Sequence, residues 1–303
     1  MDLLKEIKYL KEKKNFIFIG HNYVEKNILD LCDYNGDSLG LAKVAQNINK
    51  EKNILFIGVD FMAETMKILN PEKRIFVANK SATCPMANSL SPEKLLYFKS
   101  KFPNYSIVLY VNSTAECKRY ADCVCTSANA VEIVNAIDNN NILFGPDKNL
   151  ANYVKEKTKK NVLAIPGEDG FCYVHDSIEN NSLNLKSFSD FNLIVHPECK
   201  KNLRDKSFKV GSTGQMPKFI SENLDKKYII GTEIGMVDVL KNMFENVEII
   251  PFNNEAICHD MKKNKLEDIY NVLNFEINEI LLDRNLINDS RRSIINMFKL
   301  MEV

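Results

Sequence analysis

Three of the eight cysteines keep an interval: Cys84, Cys172 and Cys258 lie 88 and 86 residues apart in a chain of 303. Three thiolates with no fourth partner in the same register suit a metal centre that keeps one position open. Structural zinc sites are closed by four ligands, usually in paired C-x-x-C spacing, which this chain lacks. A 4Fe-4S cluster on three cysteines leaves one iron without a protein ligand, and such an iron acts as a Lewis acid toward substrate oxygen or nitrogen. The alternative is three buried thiols at equivalent places of a repeated fold. Of the other five, Cys32 and Cys117 fall in helical patterns. Cys123 and Cys125 read as packing on one face of a strand, and Cys199, beside Glu198, is not expected to be a ligand.

The four histidines, His21, His175, His196 and His259, all fall at expected strand ends or in the cysteine loops. His21 and His196 end equivalent strands. Tyr23 and Glu198 follow two residues later, on the same side if the chain stays extended. Imidazole, phenol and carboxylate together can move protons during a condensation. Ser38, Ser127, Ser212 and Thr213 read as helix N-caps. Three helix N-termini aimed at one axis would receive carboxylate or phosphate without arginine, each contributing about 0.3–1 kcal/mol. A small polyanionic substrate is expected.

The elements that must position these residues repeat with them. Short β-branched runs open into each cysteine loop: RIFVANKSATC, NVLAIPGEDGFC and VEIIPFNNEAIC. Upstream runs ILFIGVDF, ILFGPDKN and YIIGTEIG are broken at Gly58, Gly145 and Gly231, which precede the cysteines by 26, 27 and 27 residues. Helical patterns such as MAETMKILN, LANYVKEKTKK and MVDVLKNMFEN fall between. The pattern predicts an α/β fold of three similar three-layer αβα units with parallel sheets about a pseudo-threefold axis. The expected units are 1–84, completed by C-terminal helices in 262–303, then 85–172 and 173–261. Loops at the carboxyl ends of parallel strands form the site, so three such edges would bring three cysteine loops together.

Composition narrows the partners. Lys and Arg total 40 against 40 Asp and Glu, so the basic footprint that nucleic acid or an anionic membrane requires is lacking. Apolar stretches such as Ile54 to Val59 are far shorter than the ~20 residues that cross a bilayer. MDLLKEIKYLKEKK reads as an amphipathic first helix and not a signal peptide, and a cytoplasmic location with reduced thiols is expected.

With these residues in view, the chain resembles the quinolinate synthase family, iron-sulfur enzymes of NAD biosynthesis, over essentially its full length. The matching segments are GHNY with GDSL, MAETMKIL, CPMA, YVNSTAE with CTSANA, FGPDKNLA, GFCYVH, HPEC, GSTGQM, GTEIGMV and CHDMK. The resemblance implies a transferase that condenses iminoaspartate with dihydroxyacetone phosphate to quinolinate, releasing phosphate and water. It implies a 4Fe-4S cluster on Cys84, Cys172 and Cys258, and a functional link to an iminoaspartate-producing enzyme. Substrate positions map onto His21, Tyr23, Ser38, Tyr110, Asn112, Ser127, His175, His196, Glu198, Ser212 and Thr213. His21, Tyr23, Tyr110, His196 and Glu198 are the candidates for proton transfer. Two departures stand out: His259, Asp260 and Met261 follow the third cysteine where many members have proline, and an extra C-terminal cysteine cluster carried by some members is lacking. A cluster-dependent hydro-lyase and a non-catalytic iron-sulfur sensor are the competing functions.

Overall fold

The structure is a computed structural model that describes residues 2–49 and 52–301. It contains three four-stranded parallel sheets. The first unit holds β1 (Phe16–His21), β2 (Tyr34–Gly36), β3 (Asn53–Ile57) and β4 (Ile75–Val77), ordered β2-β1-β3-β4. The second repeats that order with β5 (Ser106–Tyr110), β6 (Cys123–Cys125), β7 (Asn141–Gly145) and β8 (Asn161–Ala164), and the third with β9 (Phe191–Val195), β10 (Lys209–Val210), β11 (Lys227–Gly231) and β12 (Ile249–Pro251). In each sheet the chain leaves the first strand to one side and returns on the other, so a crevice opens beyond the carboxyl ends of the two central strands.

The apolar runs are continuous because both faces of each sheet are covered. Alternate residues of one strand enter different cores: Val108 and Tyr110 pack with Phe144 and Ile133, whereas Ile107 and Leu109 pack with Leu95 and Leu143. In the third unit Leu193 and Val195 face one core and Ile194 the other. This period-two alternation forces a helix layer on each side. Among the described residues no helix is long and apolar enough to cross a membrane.

The C-terminal helices correct the expectation that 262–303 completes the first unit alone. Helix Leu266–Phe275 does pack there, placing Ile269, Val272 and Leu273 in the core of Ile7 and Leu10. Residues 278–280 then run antiparallel along β4 and cover its edge. Helix Arg284–Met301 lies mainly on the second unit, where Leu286, Ile294 and Met297 join Cys123, Val124 and Cys125, and it also meets the first unit's helix Asp60–Leu69, whose Ile68 and Leu69 carbonyls accept from Arg291 at 3.3 and 3.2 Å. Ser290 and Ser293 on the same helix face are fully buried, and Ser293 Oγ donates to the Lys118 carbonyl at 2.9 Å. The second unit's own helix beside β6, Ala130–Ala136, has only 7 residues, and the chain terminus enlarges the layer it begins.

Candidate active site

One backbone hydrogen bond recurs in every unit and sets the register of the site. The first residue of the helix after the third strand donates to the carbonyl two residues before the cysteine: Asp60 to Ala82, Lys148 to Gly170 and Ile234 to Ala256, at 3.0, 2.7 and 2.9 Å. The cysteine loop is thereby folded flush over the strand end. At Gly170 no side chain fits, because a Cβ would stand 2.0 Å from the Pro146 oxygen.

Strand pairing aligns the rest. Gly20 pairs with Ile57, Leu109 with Gly145 and Val195 with Gly231. The first unit's equivalent of Gly145 and Gly231 is therefore Ile57, and the expected marker Gly58 sits one residue late because β3 ends in an additional apolar residue. With this register His21, Tyr110 and His196 are equivalent strand ends. Tyr23, Asn112 and Glu198 occupy the second position beyond them. Ser38, Ser127 and Thr213 follow the second strands, and Cys84, Cys172 and Cys258 follow the fourth. All twelve line one cleft together with His175, and among the described residues none of its lining is Lys or Arg.

Two sequence expectations change here. The helix N-caps are Asp37, Asn129 and Gln215, not Ser38, Ser127 and Ser212. Asp37 accepts from Gly40 N–H, so Ser38 is freed as the first helical residue. Ser212 is absent from the cleft lining: its hydroxyl accepts from Gln215 N–H at 3.3 Å, and its own N–H donates to Gln215 Oε1 at 2.9 Å. Thr213, one residue on, faces the cleft. His259 stacks on Tyr173 with ring centroids 6.5 Å apart and does not line the cleft.

The polar groups form one connected chain. Glu198, buried, has its Oε2 2.7 Å from His175 Nδ1, which also lies 3.3 Å from the Cys172 thiol. His175 Nε2 lies 2.9 Å from Thr232 Oγ1, which in turn lies 2.9 Å from the Tyr23 hydroxyl. Since the carboxylate takes the Nδ1 proton of His175, its Nε2 accepts from Thr232, and Thr232 accepts from Tyr23. His196 Nδ1 accepts the Glu198 N–H at 3.3 Å, which leaves its proton on Nε2, 3.2 Å from Ser127 Oγ. His21 Nδ1 accepts the Tyr23 N–H at 3.2 Å in the same way. The rings of His175 and His196 stack at 4.5 Å.

Burial sets the protonation states. It pushes His21 down to about 4, helped by the Lys262 ammonium, and His196 down to about 3, so both imidazoles are neutral near pH 7. Burial alone would raise the Glu198 carboxyl, but the His196 and His175 rings hold it below the ordinary carboxylate range. Burial raises the Tyr23 and Tyr110 phenols, and the Glu198 charge raises them further. Glu198 is thus an ionised carboxylate beside the neutral His21 and His196 imidazoles and the Tyr23 and Tyr110 phenols, and the carboxyl groups of Asp37 and Asp260 also line the cleft. Glu198 Oε1 and Asn112 Oδ1 are buried acceptors with no protein partner, both on cleft-lining residues.

The three cysteines stand where the units meet: Cys84 and Cys258 touch the first unit's core, Cys84 and Cys172 the second's, Cys172 and Cys258 the third's. Cys84 caps helix Pro85–Ser89, Cys172 caps Tyr173–Asp176, and Cys258 precedes a 3-10 turn at Met261–Lys263. Burial raises all three thiols, and the N–H three residues on, from Ala87, His175 or Met261, pulls each back. Cys84, Cys172 and Cys258 also oppose one another's ionisation. A set of soft donors that can ionise together only around a positive charge fits a metal centre. Cys199 is not part of it, since its Sγ faces the Gly231 carbonyl at 3.6 Å. The sequence reading missed Thr232, although it directly follows Gly231, and it missed Asp37, the acid before Ser38.

The whole chain matches known proteins. Residues 5–299 match the family described as Quinolinate synthetase A protein. Quinolinate synthase of Thermotoga maritima is 48% identical over 300 residues, covering 99% of this chain and 100% of that relative. Those of Pyrococcus abyssi and Methanocaldococcus jannaschii are 42% and 41% identical, covering 99% of this chain and 100% and 99% of theirs. Its three repeated sheets and its match over nearly every residue place the chain in the quinolinate synthetase A family.

Proposed function

We propose that this chain is a cytoplasmic quinolinate synthase of NAD biosynthesis, condensing iminoaspartate with dihydroxyacetone phosphate to quinolinate, phosphate and water in the cleft between the units. The observation that carries the reading is the convergence of four equivalent residues from each of three units on one cleft. Cys84, Cys172 and Cys258 would hold a 4Fe-4S cluster. When bound, a cluster held by three thiolates supplies one iron free of protein ligands, a Lewis acid toward substrate oxygen or nitrogen.

The chain's own groups do the rest. Ser38, Ser127 and Thr213, each at the mouth of a second strand, present hydroxyls for the carboxylates and phosphate of the two substrates. The lack of Lys and Arg among the described lining residues leaves binding to neutral donors. Glu198 is the base: it is ionised, buried and oriented by His175, with Oε1 buried and left without a partner among the described residues. Tyr23, coupled to the same carboxylate through Thr232 and His175, and Tyr110 are neutral acids able to protonate a leaving oxygen. Asn112 Oδ1 accepts from a substrate hydroxyl or amine. A sensor built on this scaffold would have no use for the chain of donors from Ser127 to Tyr23.

The test is quinolinate formation from the two substrates under anaerobic conditions, comparing cluster-loaded with apo protein. Product from the loaded protein alone supports the reading. A fully loaded protein that makes no quinolinate but dehydrates a hydroxy acid would replace it with the hydro-lyase.

A further inference from the structure

Two buried acids outside the cleft touch the backbone of its cysteines. Asp147 caps helix Lys148–Lys157 by accepting Leu150 N–H on Oδ1 at 2.6 Å, and its Oδ2 accepts Cys172 N–H at 2.9 Å. Glu233 caps helix Ile234–Met243 by accepting Gly235 N–H on Oε2 at 2.7 Å, and its Oε1 accepts Cys258 N–H at 3.2 Å. The two stand at equivalent positions, each one residue before the donor of the recurring backbone bond. Both are fully buried.

Helix capping does not account for a carboxylate here. Ser, Thr or Asn satisfies a helix N-terminus with a single oxygen and no charge. What the carboxylate adds is a second acceptor, and in both units that acceptor is spent on the cysteine N–H. The first unit has Val59 at the same position, so no acid reaches Cys84 from there. Glu233 extends further, because Lys262 Nζ lies 3.1 Å from its Oε1 and donates to the Tyr23 carbonyl at 2.6 Å. One ammonium thus joins the turn that carries Tyr23 to the acid that holds Cys258.

We propose that Asp147 and Glu233 are positioning residues that fix Cys172 and Cys258 for cluster binding, and that Cys84 is held without such an acid. The inference rests on the cluster reading given above. It assigns the two acids a role in cluster retention that is separate from folding of the chain.

The test compares anaerobically reconstituted wild type with Asp147→Asn and Glu233→Gln in the full chain. Each amide keeps one acceptor and turns an NH2 toward the other donor. Loss of one buried hydrogen bond at a ligand is expected to speed release of iron to a ferrous chelator by about tenfold. The reduced cluster's electron paramagnetic resonance spectrum is expected to change as well, while the apo variants melt within a few degrees of apo wild type. Ser91→Ala, which removes the cap of helix Pro92–Lys101, is the control: it should lower melting without changing iron release. Wild-type release rates and spectra in both variants would overturn the inference, as would apo variants that fail to fold, since the acids would then be structural. A wild type that takes up no cluster would bring down the cofactor reading first and this inference with it.

Discussion

The first and third units make the same turn after their first strand and put different chemistry on it. In both, the N–H two residues beyond the strand-end histidine donates to its Nδ1, at 3.2 Å for Tyr23 and His21 and 3.3 Å for Glu198 and His196. Both histidines are neutral for the same reason, burial. The side chain at the second position then differs: a phenol whose ionisation burial opposes, against a carboxylate held below its ordinary range with its Oε2 2.7 Å from His175 Nδ1. The second unit carries Tyr110 and Asn112 at these places. Repetition fixes where each side chain stands, and residue type at that place decides whether it gives or takes a proton. A threefold scaffold can therefore surround a substrate that has no threefold symmetry.

The largest break in this comparison is Glu198→Gln, which puts a neutral group in the third unit where the first has Tyr23. Removal of a positioned general base costs about 10²–10⁴ in rate, and loss of kcat near the middle of that range is expected with the cluster fully loaded. Iron content and kcat measured on the same sample decide it. A loaded Gln variant turning over like wild type would remove Glu198 from the proton chemistry.

The shared feature, two buried neutral histidines, is tested by pH. His21 takes its proton at about 4 when folded and His196 at about 3, against an ordinary 6.5 in the unfolded chain. Between those values the unfolded chain binds more protons, so stability is fully present above 6.5 and is lost as pH falls toward 4 and 3. Glu198, depressed from 4.5, adds a loss in the same direction at lower pH. For His21 the full effect is about 3 kcal/mol. Denaturant titration of apo protein at pH 7 and pH 5 should show the fall, and His21→Asn should flatten it. A pH-independent midpoint would mean that the rings are solvated.

Tyr23→Phe sharpens the contrast from the other side. It leaves Glu198 and His175 in place and removes the hydroxyl that ends the relay at Thr232. A loss of kcat of about 10²-fold, at the lower end for a proton donor, is expected with KM little changed. A KM effect alone would make Tyr23 a binding group. Thr232→Val should reproduce part of the same kcat loss, because it cuts the link between the phenol and His175.

The repeat was legible because it rests on local rules. The glycines, the cysteines and the apolar runs of parallel strands recur in sequence, and Cys84, Cys172 and Cys258 could be selected by interval alone. Equivalence within the site was less legible. Counting glycines matched Gly58 to Gly145, whereas pairing matches Ile57 to Gly145, and only pairing aligns Tyr23, Asn112 and Glu198. Ser212 and Thr213 are neighbours of similar chemistry, and which one faces the cleft is decided by the Gln215 amide that holds Ser212 back. The last helix was misassigned because its apolar face, Leu286, Ile294 and Met297, suits any open sheet face, and nothing local in it names the second unit.

The smallest effect separates the hydroxyls. Ser38, Ser127 and Thr213 are equivalent by register, but Ser127 Oγ accepts the His196 Nε2–H at 3.2 Å, whereas Ser38 lies near the Met62 sulfur at 3.8 Å. A hydroxyl already accepting from an imidazole is held in one orientation, with its own proton directed elsewhere. Ser127→Ala removes that held donor and leaves His196 Nε2 unpaired, whereas Ser38→Ala removes only a thioether contact. One lost hydrogen bond to an anionic group, about 1.5–3 kcal/mol, should raise KM roughly tenfold or more for Ser127→Ala. The rise for Ser38→Ala is expected to be smaller, about threefold, with kcat little changed in both. Equal KM values for the two alanine variants would show that the hydroxyls act through the repeated backbone position alone. A larger loss at Ser38 would reverse the assignment and place the heavier anionic group of the substrate against the first unit.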